Sequence, residues 1–302
     1  MITAHKLTKK YHNHLALDQI DFEVKKGEIL GFLGPNGAGK STTMKIITGF
    51  ISPTSGQVMI DNQDIQKHSL AVRQKIGYLP ENNPLYEDMK VKEYLKFIAD
   101  MRGTKKDKII AMSQVCGLTD VLENSISELS KGYRQRVGLA SAMMHNPEIL
   151  ILDEPTSGLD PNQIAQIREL IKKIGQEKTV ILSTHILPEV EATCDRVIII
   201  NRGKIVAQGT IAEIRAKSQT QEEIFFVMNN ESQKIITEIS SWPMVKKAFK
   251  SDDGYKVQYD SGTDIREKIF DCIVENNLKL LTLQQKKVNL EDVFRELTTK
   301  EL

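Results

Sequence analysis

Three short stretches carry residue types that handle phosphate. "GPNGAGKST", Gly34 to Thr42, fits G-x-x-x-x-G-K-[ST], follows the apolar run "ILGFL" and precedes a helical pattern from Lys40. In that setting Gly34, Gly37 and Gly39, with Pro35, Asn36 and Ala38 between them, let backbone N–H groups close around a β-phosphate. Lys40 would reach the β- and γ-phosphates, and the Ser41 hydroxyl, beside Thr42, can ligate Mg²⁺. "EILILDEP" ends a buried strand in the carboxylate pair Asp153 and Glu154. Asp153 would hold Mg²⁺ directly or through water, and Glu154 would polarise the attacking water as general base. "LSKGYRQRVGLA" places Ser130 and Gly132 at a helix start, where unpaired N–H groups and the macrodipole favour an anion. Serine is also an ordinary N-cap residue, so this third stretch reads either as a second phosphate grip or as a plain cap.

These residues need a sheet to carry them. "ILGFLG", "EILILD", "TVILST" and "RVIII" are unbroken apolar runs alternating with helical patterns, which predicts an α/β layer on a mostly parallel sheet up to about Ala216. Functional side chains then gather at the carboxyl ends of the strands. Ile20, Phe22 and Val24 alternate with Asp21 and Glu23, as in a half-exposed antiparallel strand. Val91, Tyr94, Leu95 and Ile98 share a helix face, so the stretch from about Pro84 to Cys116 reads as a helical insertion.

A polar stretch, "RAKSQTQEE", is the expected linker, dividing the chain into domains 1–216 and 217–302. The second part reads as a strand at "IFFVMN", a helix at "ESQKIITEIS", a hairpin turning at Asp253-Gly254, a helix at "TDIREKIFDCIVENN" and a strand at "LKLLTLQQ". A last helix, "NLEDVFRELTTK", is expected with Asn289 as its cap. The order is βαββαβ plus a tail helix, a small α+β domain of the split βαβ, ferredoxin-like kind.

Composition narrows the partners. Lys and Arg number 41 against 40 Asp and Glu, a net charge of +1, so no overall field recruits nucleic acid or an anionic membrane. Three cysteines, Cys116, Cys194 and Cys272, lack metal or redox spacing and fit a reducing compartment. The start "MITAHKLTKKYH" is too polar for a signal peptide. No apolar run approaches the roughly 18 residues that span a bilayer, so the chain is expected to be soluble and to reach a membrane only through a partner.

"GPNGAGKST", "LSKGYRQR", "ILILDEPTSGLD" and "TVILSTH", in that order, resemble the nucleotide-binding subunit of an ABC transporter. The resemblance implies a P-loop NTPase cassette, a RecA-like core with antiparallel β and helical subdomains, that hydrolyses ATP with Mg²⁺. It also implies two cassettes packed head to tail, each site joining one subunit's P-loop to the other's signature helix. Two grips in one chain then make sense, since the second serves the partner's ATP. By the same resemblance Tyr11 stacks on adenine, His185 contacts the γ-phosphate, and "SGLD", Ser157 to Asp160, crosses the interface. Two departures stand out. Lys131 and Tyr133 replace a glycine and a glutamine of the signature, and Glu81 in "IGYLPE" stands where a glutamine senses Mg²⁺ and the permease; its carboxylate oxygen is expected to ligate Mg²⁺ as the amide oxygen would.

"IGYLPENNPLY", the signature and "NLEDVFRELT" are similar to the ATP-binding subunits of ABC-2 type exporters, among them the gliding-motility GldA-like proteins. That resemblance implies a second copy or a homologous cassette as partner, an integral-membrane ABC-2 type permease, and a cytoplasmic place at the inner face of the membrane. Nucleic acid is not expected. The alternative is a soluble ABC ATPase acting on nucleic acid or ribosomes. Proteins of that kind usually carry tandem cassettes or a long coiled-coil arm; here one cassette is read, and the short interval between Ser41 and Ser130 leaves no room for such an arm.

Overall fold

A computed structural model describes residues 2–105, 107–218, 221–251, 253–260, 263–286 and 294–295. The chain divides into two compact units, Met1–Ile211 and Ala212–Leu302, five residues before the boundary expected from the polar stretch. That stretch is not a bare linker, because its first residues continue a helix through Ser218 and a strand starts at Gln221.

The first unit opens with β1 (Ile2–Tyr11) and β2 (His14–Val24), followed by β3 (Ile29–Leu33) and α1 (Lys40–Ile47). Next come β4 (Ser55–Ile60), β5 (Gln63–Asp64), α2 (Ser69–Gln74) and β6 (Ile76–Leu79). A helical stretch follows with α3 (Val91–Met101), α4 (Asp107–Val115) and α5 (Lys131–Met143). The chain then returns through β7 (Ile149–Asp153), α6 (Pro161–Gly175), β8 (Thr179–Thr184), α7 (Leu187–Thr193), β9 (Arg196–Asn201), β10 (Lys204–Gly209) and α8 (Ile211–Ser218).

The main sheet runs β10-β9-β3-β8-β7-β6, parallel except for the β9–β10 pair. Its strands are apolar along their whole length because both faces are covered. Leu150 and Leu152 enter one core with Val180, Leu182 and Val137, while Ile149 and Ile151 enter the other with Leu30, Phe32 and Ile181. Alternation by side-chain period thus serves two cores from one strand. A second sheet, β2-β1-β4-β5, is antiparallel, and in β2 Ile20, Phe22 and Val24 are buried while Asp21 and Glu23 are exposed. The expected helical insertion is present, with Val91, Tyr94 and Leu95 buried on α3.

In the second unit β11 (Gln221–Met228), α9 (Gln233–Ser240), β12 (Val245–Ser251), β13 (Gly254–Asp260), α10 (Arg266–Glu275) and β14 (Leu280–Lys286) form an antiparallel sheet in the order β12-β13-β11-β14. Ile224, Phe226, Val257 and Tyr259 pack with Ile235, Ile239, Ile269 and Ile273 from the helices. Gly254 pairs with Ser251, so it already belongs to β13 and the turn lies before it. The closing helix expected over 289–300 falls, apart from Phe294 and Arg295, outside the described residues.

Candidate active site

The P-loop connects the carboxyl end of β3 to α1, and its shape depends on Gly39. That residue has φ +113°, and a Cβ there would meet the Ala16 carbonyl oxygen at 2.8 Å and Leu17 Cδ2 at 2.7 Å. No side chain caps α1, so its first N–H groups are left to the loop. Lys40 is only 5% exposed and its ammonium has three donors. They reach the Gly34 carbonyl at 2.8 Å, the Pro35 carbonyl at 3.3 Å and Glu154 Oε1 at 3.2 Å.

The carboxylates arrive from the end of β7, next to β8. Asp153, 2% exposed, accepts from the Ser41 hydroxyl at 3.1 Å and from the Ser183 hydroxyl at 2.5 Å. Glu154 stands just past the strand at φ +48°, and its backbone N–H donates to the Ser183 hydroxyl at 3.0 Å. Its second oxygen, Oε2, lies 2.9 Å from Nδ1 of His185, which follows the last residue of β8. One carboxylate therefore bridges Lys40 of the P-loop and His185. Half-buried Tyr78 on β6 reports on the local charge: partial burial first, then the Asp153 and Glu81 carboxylates, push its phenol well above the usual range.

A cleft of about 420 Å³ opens over these groups. Asn36, Gly37, Gly39, Lys40, Ser41, Thr42, Glu81, Glu154 and His185 line it, together with Tyr11, which is 41% exposed and belongs to no core. Gly34 and Pro35 shape it from behind through their carbonyls, and Ala38 donates its N–H to Pro35 at 3.2 Å. Three further residues come from the structure alone. Ser183 braces both Asp153 and Glu154, and its sequence signal is its register opposite Asp153. His14 and Ala16 line the cleft because β2 pairs back on β1, with His14 opposite Tyr11.

Ser130 and Gly132 lie outside this cleft, at the start of α5. The Ser130 hydroxyl accepts from the Tyr133 N–H at 3.3 Å, an N-cap contact. Gly132 is needed for close approach, since a Cβ there would lie 2.8 Å from Gln163 of α6. Asp160 caps α6 by accepting from the Gln163 N–H at 3.0 Å, and Lys131 extends over Gly158. The starts of α5 and α6 thus pack against each other and present "LSKG" beside "SGLD".

The profile of the ABC transporter family matches residues 17–157. The chain is 33% identical over 300 residues to the bacitracin transport ATP-binding protein BcrA of Bacillus licheniformis, covering 96% of this chain and 95% of that one. The chain belongs to the ABC transporter family. Specifically, it is an ATP-binding protein of that family. It is also 40% identical over 228 residues to the probable multidrug ABC transporter ATP-binding protein YbhF of Escherichia coli (strain K12). That match covers 74% of this chain, and the chain spans only 39% of the YbhF length. Among solved structures, the dimeric post-hydrolysis state of the ATP-binding cassette MJ0796 bound to ADP and Pi superposes with a TM-score of 0.64 at 27% identity, covering 70% of this chain and 99% of that one. The ABC cassette accordingly has the expected mixed α/β fold. Among the described residues no helix is long and apolar enough to cross a membrane.

The site also suits Mg²⁺. This cation takes hard oxygens, and binds through one or two protein oxygens plus substrate phosphates. Ser41 Oγ and Asp153 Oδ1 supply such a pair, already in hydrogen-bond contact. Among the described residues no group of three or more His, Cys, Asp or Glu could hold a metal ion.

Proposed function

We propose that this ABC cassette is the ATP-hydrolysing motor of an exporter, working as a head-to-tail dimer that drives a separate ABC-2 type permease. The observation that carries the ATPase reading is the contact set around Glu154: one carboxylate oxygen on Lys40, the other on His185. In the reaction the nucleophilic water attacks the γ-phosphorus, the bond to the β,γ-bridging oxygen breaks, and ADP leaves with the electron pair. Glu154 takes the water's proton, and His185 holds the carboxylate and the γ-phosphate in line. Lys40 turns its ammonium from the P-loop carbonyls to the β- and γ-phosphates. Ser41 and Asp153 would hold Mg²⁺, which would supply positive charge against the phosphates, and Glu81 faces the same cleft. Tyr11 offers its ring to adenine.

The dimer is supported by the exposed second grip and by the dimeric form of the similar MJ0796 cassette. Ser130 and the N–H of Gly132 would serve the partner's γ-phosphate, with "SGLD" crossing between subunits. Exporter function draws on the names of the relatives, BcrA and YbhF. The finer ABC-2 and GldA-like assignment rests on "IGYLPENNPLY", the signature and "NLEDVFRELT", and the accessory domain, expected at 217–302, corresponds in this reading to the second unit, Ala212–Leu302. A cleft of about 800 Å³ supports permease docking: exposed Phe50, Leu70 and Met101 edge it with Arg73 and Arg102, and no acidic residue lines it. It suits an amphipathic cytoplasmic segment of the permease that brings its own carboxylate. Cytoplasmic placement at the membrane's inner face follows from that docking.

Complementation tests the shared site. Ser130→Arg should keep ATP binding and lose hydrolysis, while Lys40→Ala loses binding. Mixing the two inactive proteins gives heterodimers with one intact site, so hydrolysis should return in part. Parental hydrolysis by Ser130→Arg across protein concentrations would refute the shared site.

A further inference from the structure

His185 stands in an exposed position between β8 and α7, and its own ring contact is with Glu154. What fixes its backbone is a closed set of hydrogen bonds among the residues around it. Thr184, fully buried, donates its hydroxyl to Glu189 Oε2 at 2.9 Å. The same hydroxyl oxygen accepts from the Ile186 N–H at 3.0 Å. Glu189 closes the ring by donating its backbone N–H to the Ile186 carbonyl at 3.2 Å. His185 is the apex of the loop so tied.

Glu189 is an expensive way to build an ordinary helix start. It is 2% exposed, and its other oxygen, Oε1, has no hydrogen-bond partner among the described residues. A buried carboxyl with one donor costs far more than an apolar residue of similar volume. The start of α7 recovers part of that cost through its macrodipole. Yet Glu189 does not complete a capping box, which would return its carboxylate to the N–H of the N-cap residue. Instead the Thr184 hydroxyl satisfies the Ile186 N–H, and Glu189 holds that hydroxyl from below. The contact therefore reaches past the helix to the residue before the histidine.

We propose that Glu189 is a positioning residue for hydrolysis, acting through Thr184 to hold His185 against Glu154 and the γ-phosphate. This rests on the ATPase reading above, in which His185 and Glu154 do the chemistry. A histidine free to swing by about 1 Å would cost on the order of 10²-fold in rate, since alignment of reacting groups is that sensitive. Nucleotide binding, which depends on the P-loop, would be spared.

The test uses the full chain, with ATP binding measured at equilibrium and hydrolysis at steady state. Thr184→Val keeps the shape and removes both hydroxyl contacts. It should lower kcat by about 10- to 100-fold while ATP affinity stays within about 2-fold of the parent. Thr184→Ser restores the hydroxyl and should restore kcat. Glu189→Ala should match Thr184→Val, and Glu189→Gln, which keeps an acceptor oxygen, should lie near the parent. Parental kcat in Thr184→Val would overturn the inference. So would equal losses in Thr184→Val and Thr184→Ser, or a Thr184→Val protein without a cooperative melt, because the ring would then hold the fold and not the histidine. His185→Ala and Glu154→Gln separate the two claims. If they hydrolyse ATP like the parent, the ATPase reading itself fails. If they are inactive while Thr184→Val is not, only the role of Glu189 falls.

Discussion

Two helix starts in this ABC cassette offer N–H groups beside a hydroxyl, and their surroundings differ. The start of α1 is enclosed by its own chain: Ala16 and Leu17 press on Gly39, and the Lys40 ammonium is buried with all three donors engaged. The start of α5 is packed on one side only, by Gln163 and the "SGLD" loop, and Ser130 spends its hydroxyl on its own helix. A lysine there, Lys131, is exposed at the first helical position, where the macrodipole disfavours a cation. In the proposed dimer the first start is the complete phosphate grip and the second contributes half of one. Enclosure, more than the presence of glycine and serine, separates a grip from a surface awaiting a partner.

The largest effects should fall on the enclosed start. Lys40→Ala removes charge-assisted bonds to phosphate worth roughly 1.5–3 kcal/mol each, so ATP affinity should drop about 100-fold or more in an equilibrium binding measurement. Affinity within a factor of two of the parent would show that the backbone cradle alone binds ATP. Glu154→Gln keeps the cradle and removes the base. Hydrolysis should fall by about 10²- to 10⁴-fold while ATP affinity holds, and a variant that turns over at the parental rate would free Glu154 from that role.

Much of the enclosed start was legible in the sequence, because every part of it is local. Strand, loop, lysine and hydroxyl follow one another from Ile29 to Thr42, and Asp153 and Glu154 end an apolar run whose burial is complete. The cassette fold was legible for the same reason, through unbroken strands such as β7 and β8. Ser183, His14 and Ala16 were not, since each joins the site through strand pairing between distant segments. β1 was missed as well. It carries polar residues at His5, Lys6, Lys9 and Lys10, and its role appears only when it pairs with both β2 and β4. The polar run read as a linker failed in the opposite way, since its polar composition hid a helix ending at Ser218.

A smaller effect tests the packing behind the open start. Gly132→Ala puts a Cβ 2.8 Å from Gln163, and the amide must move or α5 must shift. The neighbour is the far end of a flexible, half-exposed side chain, so the cost should sit at the low end of overpacking, about 1 kcal/mol, or some 2–4 °C of melting midpoint for a unit of this size. Pairing it with Gln163→Ala should return most of the loss, because the two residues are in contact and their effects are not independent. An unchanged midpoint in the single variant would mean that the two helix starts are not locked together.

A comparably small change in stability is expected of Ser130→Ala, and it separates the two meanings of this serine most cleanly. Removing an N-cap hydroxyl costs about 1 kcal/mol, against a typical total of about 5–15 kcal/mol, so the fraction folded barely changes. If the hydroxyl serves only the Tyr133 N–H, hydrolysis per folded molecule should stay at the parental rate. If it also donates to the partner's γ-phosphate, the rate should fall by about 10-fold or more, the usual consequence of losing a hydrogen bond to a charged group. Ser130→Gly sharpens the distinction. Glycine is nearly as good a cap, costing only a few tenths of a kcal/mol, so stability would return while hydrolysis would not. Recovery of both together would assign Ser130 to its own helix alone, and the open start of α5 would then owe its phosphate contact to the N–H groups around Gly132.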